Sequence, residues 1–312
     1  MANDRLNPEL ADAYRWLPVF PYFNRATIPL GRFLYNMGSK TKAEFGATVD
    51  EYNIGPLLLR VFRPIAPALE GGVLWIHGGG FIAGTTEQVN EVASRFARWL
   101  RVPIVTVEYR WAPENPYPAA LDDVHAAWQW MLDAEDIDST RMAILGQSGG
   151  GGLAAALVNR IHDEGGQQPV AQVLHYPMLD DRTAADRSLD KETFEIWNNR
   201  CNKVAWNAYL HPAKAGDAYV SEYAAPARRE ELSGLPPTWI GVGTYDLFSE
   251  ETRTYADRLI DAGVPCETMY VDGAPHVFEI MAPEWKTSGL FLERTRAFLK
   301  RHLASGETAK VA

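Results

Sequence analysis

Residues 145–152 read LGQSGGGG, a single hydroxyl, Ser148, in a stretch where five of eight residues lack a side chain. The run before it, Met142–Leu145, is short, apolar and strand-like, while Leu153–Asn159 after it reads as a helix. Ser148 therefore falls on a sharp strand-to-helix turn. A turn of that kind tends to positive φ, which lifts a hydroxyl clear of the sheet and leaves room only for small neighbours. Gly146 and Gly150 complete the pattern G-x-S-x-G, and Gly149 offers an unhindered N–H directly after the serine. The bare pattern is weak, because a glycine-rich turn before a helix also cradles phosphate. The Lys-Ser/Thr of a phosphate loop is missing here, which argues strongly against that reading.

Outward from this turn, short apolar runs alternate with helical patterns from about Phe45 onward. That is the signature of an α/β fold with a mostly parallel sheet and helices on both faces. Eight strands are expected. Val49–Tyr52 and Leu57–Phe62 form an antiparallel edge pair around the turn signal NIGP, and Val73–Ile76, Ile104–Glu108, Met142–Leu145, Val170–Tyr176, Thr238–Val242 and Cys266–Val271 follow. Leu121, Val124, Trp128 and Met131 recur at helical spacing. The run SEETRTYADRLIDAG suggests a helix with Ser249 as N-cap, two glutamates in its first turn and Gly263 as its stop.

Two segments break the alternation. Residues 1–45 are rich in aromatics and proline, and residues 180–225 carry Trp197, Trp206 and Tyr209 at helical spacing. With Trp16, Phe20, Tyr22 and Phe23 of the first segment, they are expected to pack as a helical cap on a catalytic domain formed by residues 46–179 and 226–304. For any single aromatic among them, burial in the core is the simpler expectation. Residues 305–312 read as a disordered tail.

Composition narrows the class of function. The 30 Lys and Arg against 40 Asp and Glu give a net charge of −10, which argues against nucleic acid as a partner. No run approaches the ~18 consecutive apolar residues of a membrane span, so no membrane partner is expected. The first residues lack the apolar stretch of a signal peptide, and Cys201 and Cys266 are isolated. A cytoplasmic protein without metal or organic cofactor is expected, with a homodimer left open.

A second glycine cluster follows the strand Val73–Ile76, in the run HGGGF at 77–81. Consecutive glycines let main-chain N–H groups turn toward one point, as an oxyanion hole requires. Gly79 and Gly80, with Gly149, are the expected donors. His77 and Gly78 are read as shaping that loop, because His77 precedes the nucleophile. The order serine, acid, histidine then asks for partners after later strands. Asp246 follows the strand ending at Val242, and His276 follows the strand ending at Val271. Asp272, Glu250 and Glu251 compete as acids, but each reads as a solvated turn or first-turn group. Among the other histidines, His125, His162, His211 and His302 lie in helical or cap contexts, and His175 reads as a satisfied core residue.

From about residue 60 to 300 the chain resembles the hormone-sensitive-lipase-like branch of the α/β-hydrolases, the bacterial family IV carboxylesterases. The resemblance is carried by HGGGF at 77–81, VEYRWAPENPYPAALDD at 107–123, GQSGGG at 146–151, YDLFSEE at 245–251 and APHVF at 274–278. It implies Ser148 as nucleophile, Asp246 as acid, His276 as base and the same glycines as oxyanion donors. It also implies a cap built from the two irregular segments, and a small-molecule ester substrate with an acyl group of roughly two to eight carbons. This chain departs from the family at Gln147, usually Asp, at Gly149, usually Ala, at DLFSEE for DPLRDE and at Val277, usually Gly. An amidase or formamidase would use the same triad. A non-catalytic receptor on this fold would lack the histidine that His276 supplies.

Overall fold

The computed structural model describes residues 5–14, 26–66 and 69–305. Trp16, Phe20, Tyr22 and Phe23, assigned to the cap from sequence, and residues 306–312 of the expected tail lie outside the described residues.

All eight expected strands form, as β1 (Ala47–Ile54), β2 (Leu57–Pro64), β3 (Gly72–Ile76), β4 (Ile104–Val107), β5 (Met142–Gln147), β6 (Ala171–His175), β7 (Thr238–Gly243) and β8 (Cys266–Val271). They make one sheet in the order β1-β2-β4-β3-β5-β6-β7-β8. β1 pairs antiparallel with β2 in register from Ala47↔Pro64 to Ile54↔Leu57, and β2 runs antiparallel to β4. Every other pairing is parallel. β3 to β7 are buried along their length, which is why they read as unbroken apolar runs rather than as alternating ones.

The helices are α1 (Ala11–Tyr14), α2 (Ile28–Gly38), α3 (Asn90–Leu100), α4 (Ala119–Leu132), α5 (Gly149–Asp163), α6 (Asp181–Ala185), α7 (Asn199–Tyr209), α8 (Ser249–Asp261), α9 (Phe278–Met281) and α10 (Lys286–Ser305). The two-residue period of the strands divides their side chains between two cores. Leu74 and Ile76 of β3 join Trp128 of α4, Leu153 and Leu157 of α5 and Tyr255 of α8. Val73 and Trp75 join Phe96 of α3 and Phe291, Phe298 and Leu299 of α10. The result is three layers, helix, sheet and helix. The stripe Leu121, Val124, Trp128 and Met131 of α4 is buried as its spacing requires.

Four readings from sequence need correction. α5 begins at Gly149 rather than at Leu153, so four glycines form its first turn. Glycine is a poor helix former, and the helix starts there because its backbone must approach β3 closely. A Cβ on Gly150 would lie 2.3 Å from the carbonyl oxygens of both Ile76 and His77. Ser249 is not the N-cap of α8. Phe248 occupies that position and its N–H is accepted by Asp246 Oδ1 at 2.9 Å. Glu251 is buried rather than solvated, and its Oε1 accepts the N–H groups of Leu179 at 2.7 Å and Asp180 at 3.2 Å. It thereby fixes the point where the chain leaves the sheet after β6. Of its rivals, Glu250 and Asp272 are exposed. Trp197 precedes α7 instead of lying within it.

Candidate active site

Ser148 stands between β5 and α5 with φ 53° and ψ −121°, a left-handed conformation for a residue with a Cβ. Its N–H donates to His175 O at 2.9 Å, which ties the turn to the end of β6. Its own carbonyl accepts the N–H groups of Gly151, Gly152 and Met178. The strained residue is thus held from several directions, the condition under which such strain persists.

Asp246 and His276 reach Ser148 from the carboxyl ends of β7 and β8, the side on which open α/β sheets gather their sites. His276 Nε2 lies 3.0 Å from Ser148 Oγ, and His276 Nδ1 lies 2.7 Å from Asp246 Oδ2. With the carboxylate accepting at Nδ1, the neutral ring carries its proton there and presents Nε2 as an acceptor to the hydroxyl. All three side chains are buried. The imidazole meets the rings of Tyr176 and Phe248 edge-on, with centroids at 4.8 and 5.3 Å. Its backbone carbonyl accepts the Tyr14 hydroxyl at 3.2 Å, so α1 also bears on its position. The structure therefore brings together Ser148, Asp246 and His276.

The loop after β3 packs against the elbow. A Cβ on Gly149 would stand 3.0 Å from Gly80 Cα, Gly80 N and Phe81 N. Gly79 and Gly80 have φ of 123° and 58°, and Gly79 O accepts the N–H groups of Ile82 and Ala83. Among the described residues none accepts from the N–H of Gly79 or Gly80. Gly149 is the first residue of α5, so its N–H precedes the helical hydrogen-bond ladder. Among the described residues these donors border the Ser148 turn without a hydrogen-bond partner.

His77 is fully buried, stacked on Tyr109 at 4.3 Å, and its Nδ1 is 2.8 Å from Gly78 O. Burial lowers its pKa, so the ring stays neutral. The motif at 107–123 serves this loop. The Tyr109 hydroxyl donates to His77 O at 3.1 Å, and Arg110 is fixed by Asp123, its N–H and guanidinium donating to that carboxylate at 2.7–3.0 Å. His175 is a core residue bonded to Thr295 Oγ1 at 2.9 Å, and burial lowers its pKa to about 3. His125, His162, His211 and His302 are partly or fully exposed.

Above the loop, Phe81 stacks on Tyr209 at 4.2 Å and meets Trp206 edge-on at 5.1 Å. Both partners are buried, so the simpler expectation of core packing holds for them. Trp197 sits directly against Gly80, where a Cβ would lie 2.4 Å from the indole. Sequence reasoning missed a second polar group behind the serine. Gln147 Oε1 accepts Trp75 Nε1 at 3.0 Å, and Gln147 Nε2 donates to the Tyr176 hydroxyl at 3.2 Å and to Glu279 at 3.5 Å. A lone glutamate inside the apolar run VFEIM was its one visible signal.

An eight-stranded sheet in this order, with a serine elbow after β5, is an α/β-hydrolase architecture. The chain belongs to the alpha/beta hydrolase fold family, whose model matches residues 73–280, as the motifs implied. It is similar to esterase LipI of Mycobacterium tuberculosis, with 33% identity over 233 residues, 68% of each chain. A bacterial heroin esterase superposes with a TM-score of 0.87 at 32% identity, covering 96% of this chain and 98% of that one. Esterase LipW from Mycobacterium marinum gives 0.80 at 32% identity, covering 98% and 97%. Among the described residues no helix is long and apolar enough to cross a membrane.

Proposed function

We propose that this protein is a serine carboxylesterase acting on small-molecule esters through an acyl-enzyme. The observation that carries the reading is the chain of contacts from Ser148 Oγ to His276 Nε2 and from His276 Nδ1 to Asp246 Oδ2, at 3.0 and 2.7 Å. His276 takes the hydroxyl proton as Ser148 Oγ bonds to the ester carbonyl carbon. The oxygen of the tetrahedral species then receives the N–H groups of Gly79, Gly80 and Gly149. Collapse breaks the bond to the alkoxy group, which leaves as the alcohol with the proton from His276. Water, deprotonated by His276, attacks the acyl carbon, and Ser148 recovers its proton as the acid departs. Asp246 keeps the ring in the working tautomer throughout. Relatives named as esterases support this class of substrate.

Residues 180–225, with the N-terminal 45 residues, act in this reading as a cap on the catalytic domain of residues 46–179 and 226–304. Trp197 against Gly80 supports a closed acyl pocket. Each buried methylene adds ~0.8 kcal/mol until the wall is met. Acyl groups of roughly two to eight carbons, the range the family resemblance implies, are compatible with such a wall. All three reacting side chains come from one chain, so a homodimer would add nothing to the chemistry. We take the setting to be the cytoplasm, as two isolated thiols ask for no oxidising compartment.

Two measurements test this. An organophosphate followed by peptide mapping should label Ser148, and label elsewhere or full activity in Ser148→Ala ends the reading. A graded series of nitrophenyl esters, run beside an amide, should peak at short acyl chains. Equal kcat/KM for butyrate and palmitate would remove the closed pocket, and a faster amide would make the protein an amidase.

A further inference from the structure

Behind the serine runs a chain of buried polar groups whose direction is fixed. The Trp75 indole can only donate, so Gln147 turns its carbonyl to Trp75 and its NH2 to Tyr176 and Glu279. Tyr176 accepts from that amide and donates its own proton to Glu279 Oε1. The other carboxylate oxygen, Oε2, has no hydrogen-bond partner among the described residues. Glu279 is only 4% exposed. A carboxylate with one orphan oxygen at that depth is costly, and an apolar side chain would serve packing better.

The chain ends against the candidate base. Tyr176 has φ 37°, directly after β6, and its N–H donates to Gly241 O at 2.7 Å. That conformation carries the ring edge-on to His276, with centroids 4.8 Å apart at 68°. We propose that Glu279 is a positioning residue for His276: ionised, it holds the Tyr176 hydroxyl as a donor, fixes the phenol ring against the imidazole and favours the imidazolium formed during hydrolysis. This rests on the reading of His276 as the base.

Burial pushes the Glu279 carboxyl up to about 7, against the opposing pull of the Tyr176 bond, of its own backbone N–H, of charge on His276 and of the Gln147 amide. Its proton is therefore exchanged near neutrality, while burial and the Glu279 charge hold Tyr176 well above the usual phenol range as a permanent donor. The titratable groups that face Glu279 among the described residues are Tyr176, His276 and Tyr14, and the charge of Asp246 reaches both tyrosines. The departure at 147 also acquires a reason. An aspartate there would set a second carboxylate beside Glu279, whereas the amide of Gln147 donates to it.

The test is the pH profile of kcat/KM for nitrophenyl butyrate in the intact protein and two near-isosteric variants. Activity that needs both His276 neutral and Glu279 ionised gives the wild type an acid limb steeper than one proton. Glu279→Gln removes one ionisation and the negative charge. Its limb should fall to a slope of one with a lower midpoint, and its plateau should drop about tenfold, the equivalent of one pK unit of lost imidazolium stabilisation. Tyr176→Phe keeps the ring but takes the donor from the carboxylate, so the limb should move to higher pH. Opposite shifts from two contacting residues are not the result of a loosened fold. If Glu279→Gln does not fold, the upward shift in Tyr176→Phe carries the test. Wild-type limbs in both variants, or shifts in one direction, overturn the proposal. If Ser148→Ala and His276→Ala retain full activity, the functional reading itself has failed. If they are inactive while Glu279→Gln and Tyr176→Phe keep wild-type limbs, only the role of Glu279 falls.

Discussion

Two glycine clusters meet at the candidate site. At Gly146 and Gly150 of the elbow φ is not positive, and what is missing is space. A Cβ would lie 2.1 Å from Gly150 O in the first case and 2.3 Å from two carbonyl oxygens in the second. At Gly79 and Gly80, in the loop after β3, φ is 123° and 58°, so the backbone conformation itself disfavours a side chain, and at Gly79 a Cβ would in addition lie 2.0 Å from Ala83 O. The elbow uses glycine to bring α5 down onto β3, and the loop uses it to turn N–H groups outward. The first is a requirement of the fold, while the second adds a conformational requirement that the proposed mechanism would use. Substitutions in the two clusters should therefore damage different properties.

The largest effect is expected at Gly150→Ala. Its methyl would press on the carbonyls of both Ile76, the last residue of β3, and His77, which starts the glycine loop, so relief requires shifting backbone of the sheet end and of that loop. A loss above about 4 kcal/mol is expected, at the extreme of single substitutions. Soluble yield and thermal unfolding report it. A melting temperature within about 3 °C of wild type would show that α5 can lift from the sheet, and the contrast between the clusters would collapse.

Gly80→Ala comes next and mixes both causes. The left-handed conformation costs Ala about 1–2 kcal/mol, and displacing a packed neighbour adds about 1–3 kcal/mol. That neighbour is the Trp197 indole, a side chain rather than a backbone. Combining Gly80→Ala with Trp197→Leu in a double-mutant cycle separates the two, since only the steric share can be relieved. Stability should recover in part while kcat stays low, because the N–H has turned. Full recovery of both would mean that conformation at Gly80 matters little.

What was legible in the sequence follows the same division. β3 and β5 to β7 are buried along their length, so their strands stand out as apolar runs, and Ser148, Asp246 and His276 each follow a strand end. The start of α5 was not legible, because four glycines oppose helix by propensity and become helical only through contact with β3. Ser249 has the right chemistry for a cap, but the helix begins one residue earlier: Phe248 O already accepts the Thr252 N–H, and Asp246 Oδ1 holds the N–H of Phe248. Glu251 lies in a first turn like its exposed neighbour Glu250, and its burial depends on a segment 72 positions away. Gln147, Tyr176 and Glu279 were beyond reach for the same reason, since their contacts join residues 29, 103 and 132 positions apart. Local pattern reports propensity and period. It carries no information on which distant side chains complete a polar chain.

Gly149→Ala should have the smallest effect and draws the sharpest line between space and conformation. The resembled family carries Ala at this position, and φ at Gly149 is not positive, so the helix itself would gain roughly 0.5–1 kcal/mol from the change. Against that, the new methyl would stand 3.0 Å from Gly80 Cα, Gly80 N and Phe81 N, all of them backbone. The loop must retreat by a few tenths of an ångström. Its retreat costs part of the helical gain, leaving stability within about 1 kcal/mol of wild type. In the proposed mechanism it also carries the Gly80 N–H away from the oxyanion, and preorganised donors are sensitive to such shifts, so kcat should fall by about threefold to tenfold. KM should change little, because the ground-state carbonyl makes weaker use of those donors. Steady-state kinetics beside a thermal melt decide the matter. An unchanged kcat would mean that the loop yields without moving its N–H groups. A melting temperature far below wild type would mean that the contact with Gly80 belongs to the fold, as those of Gly150 do.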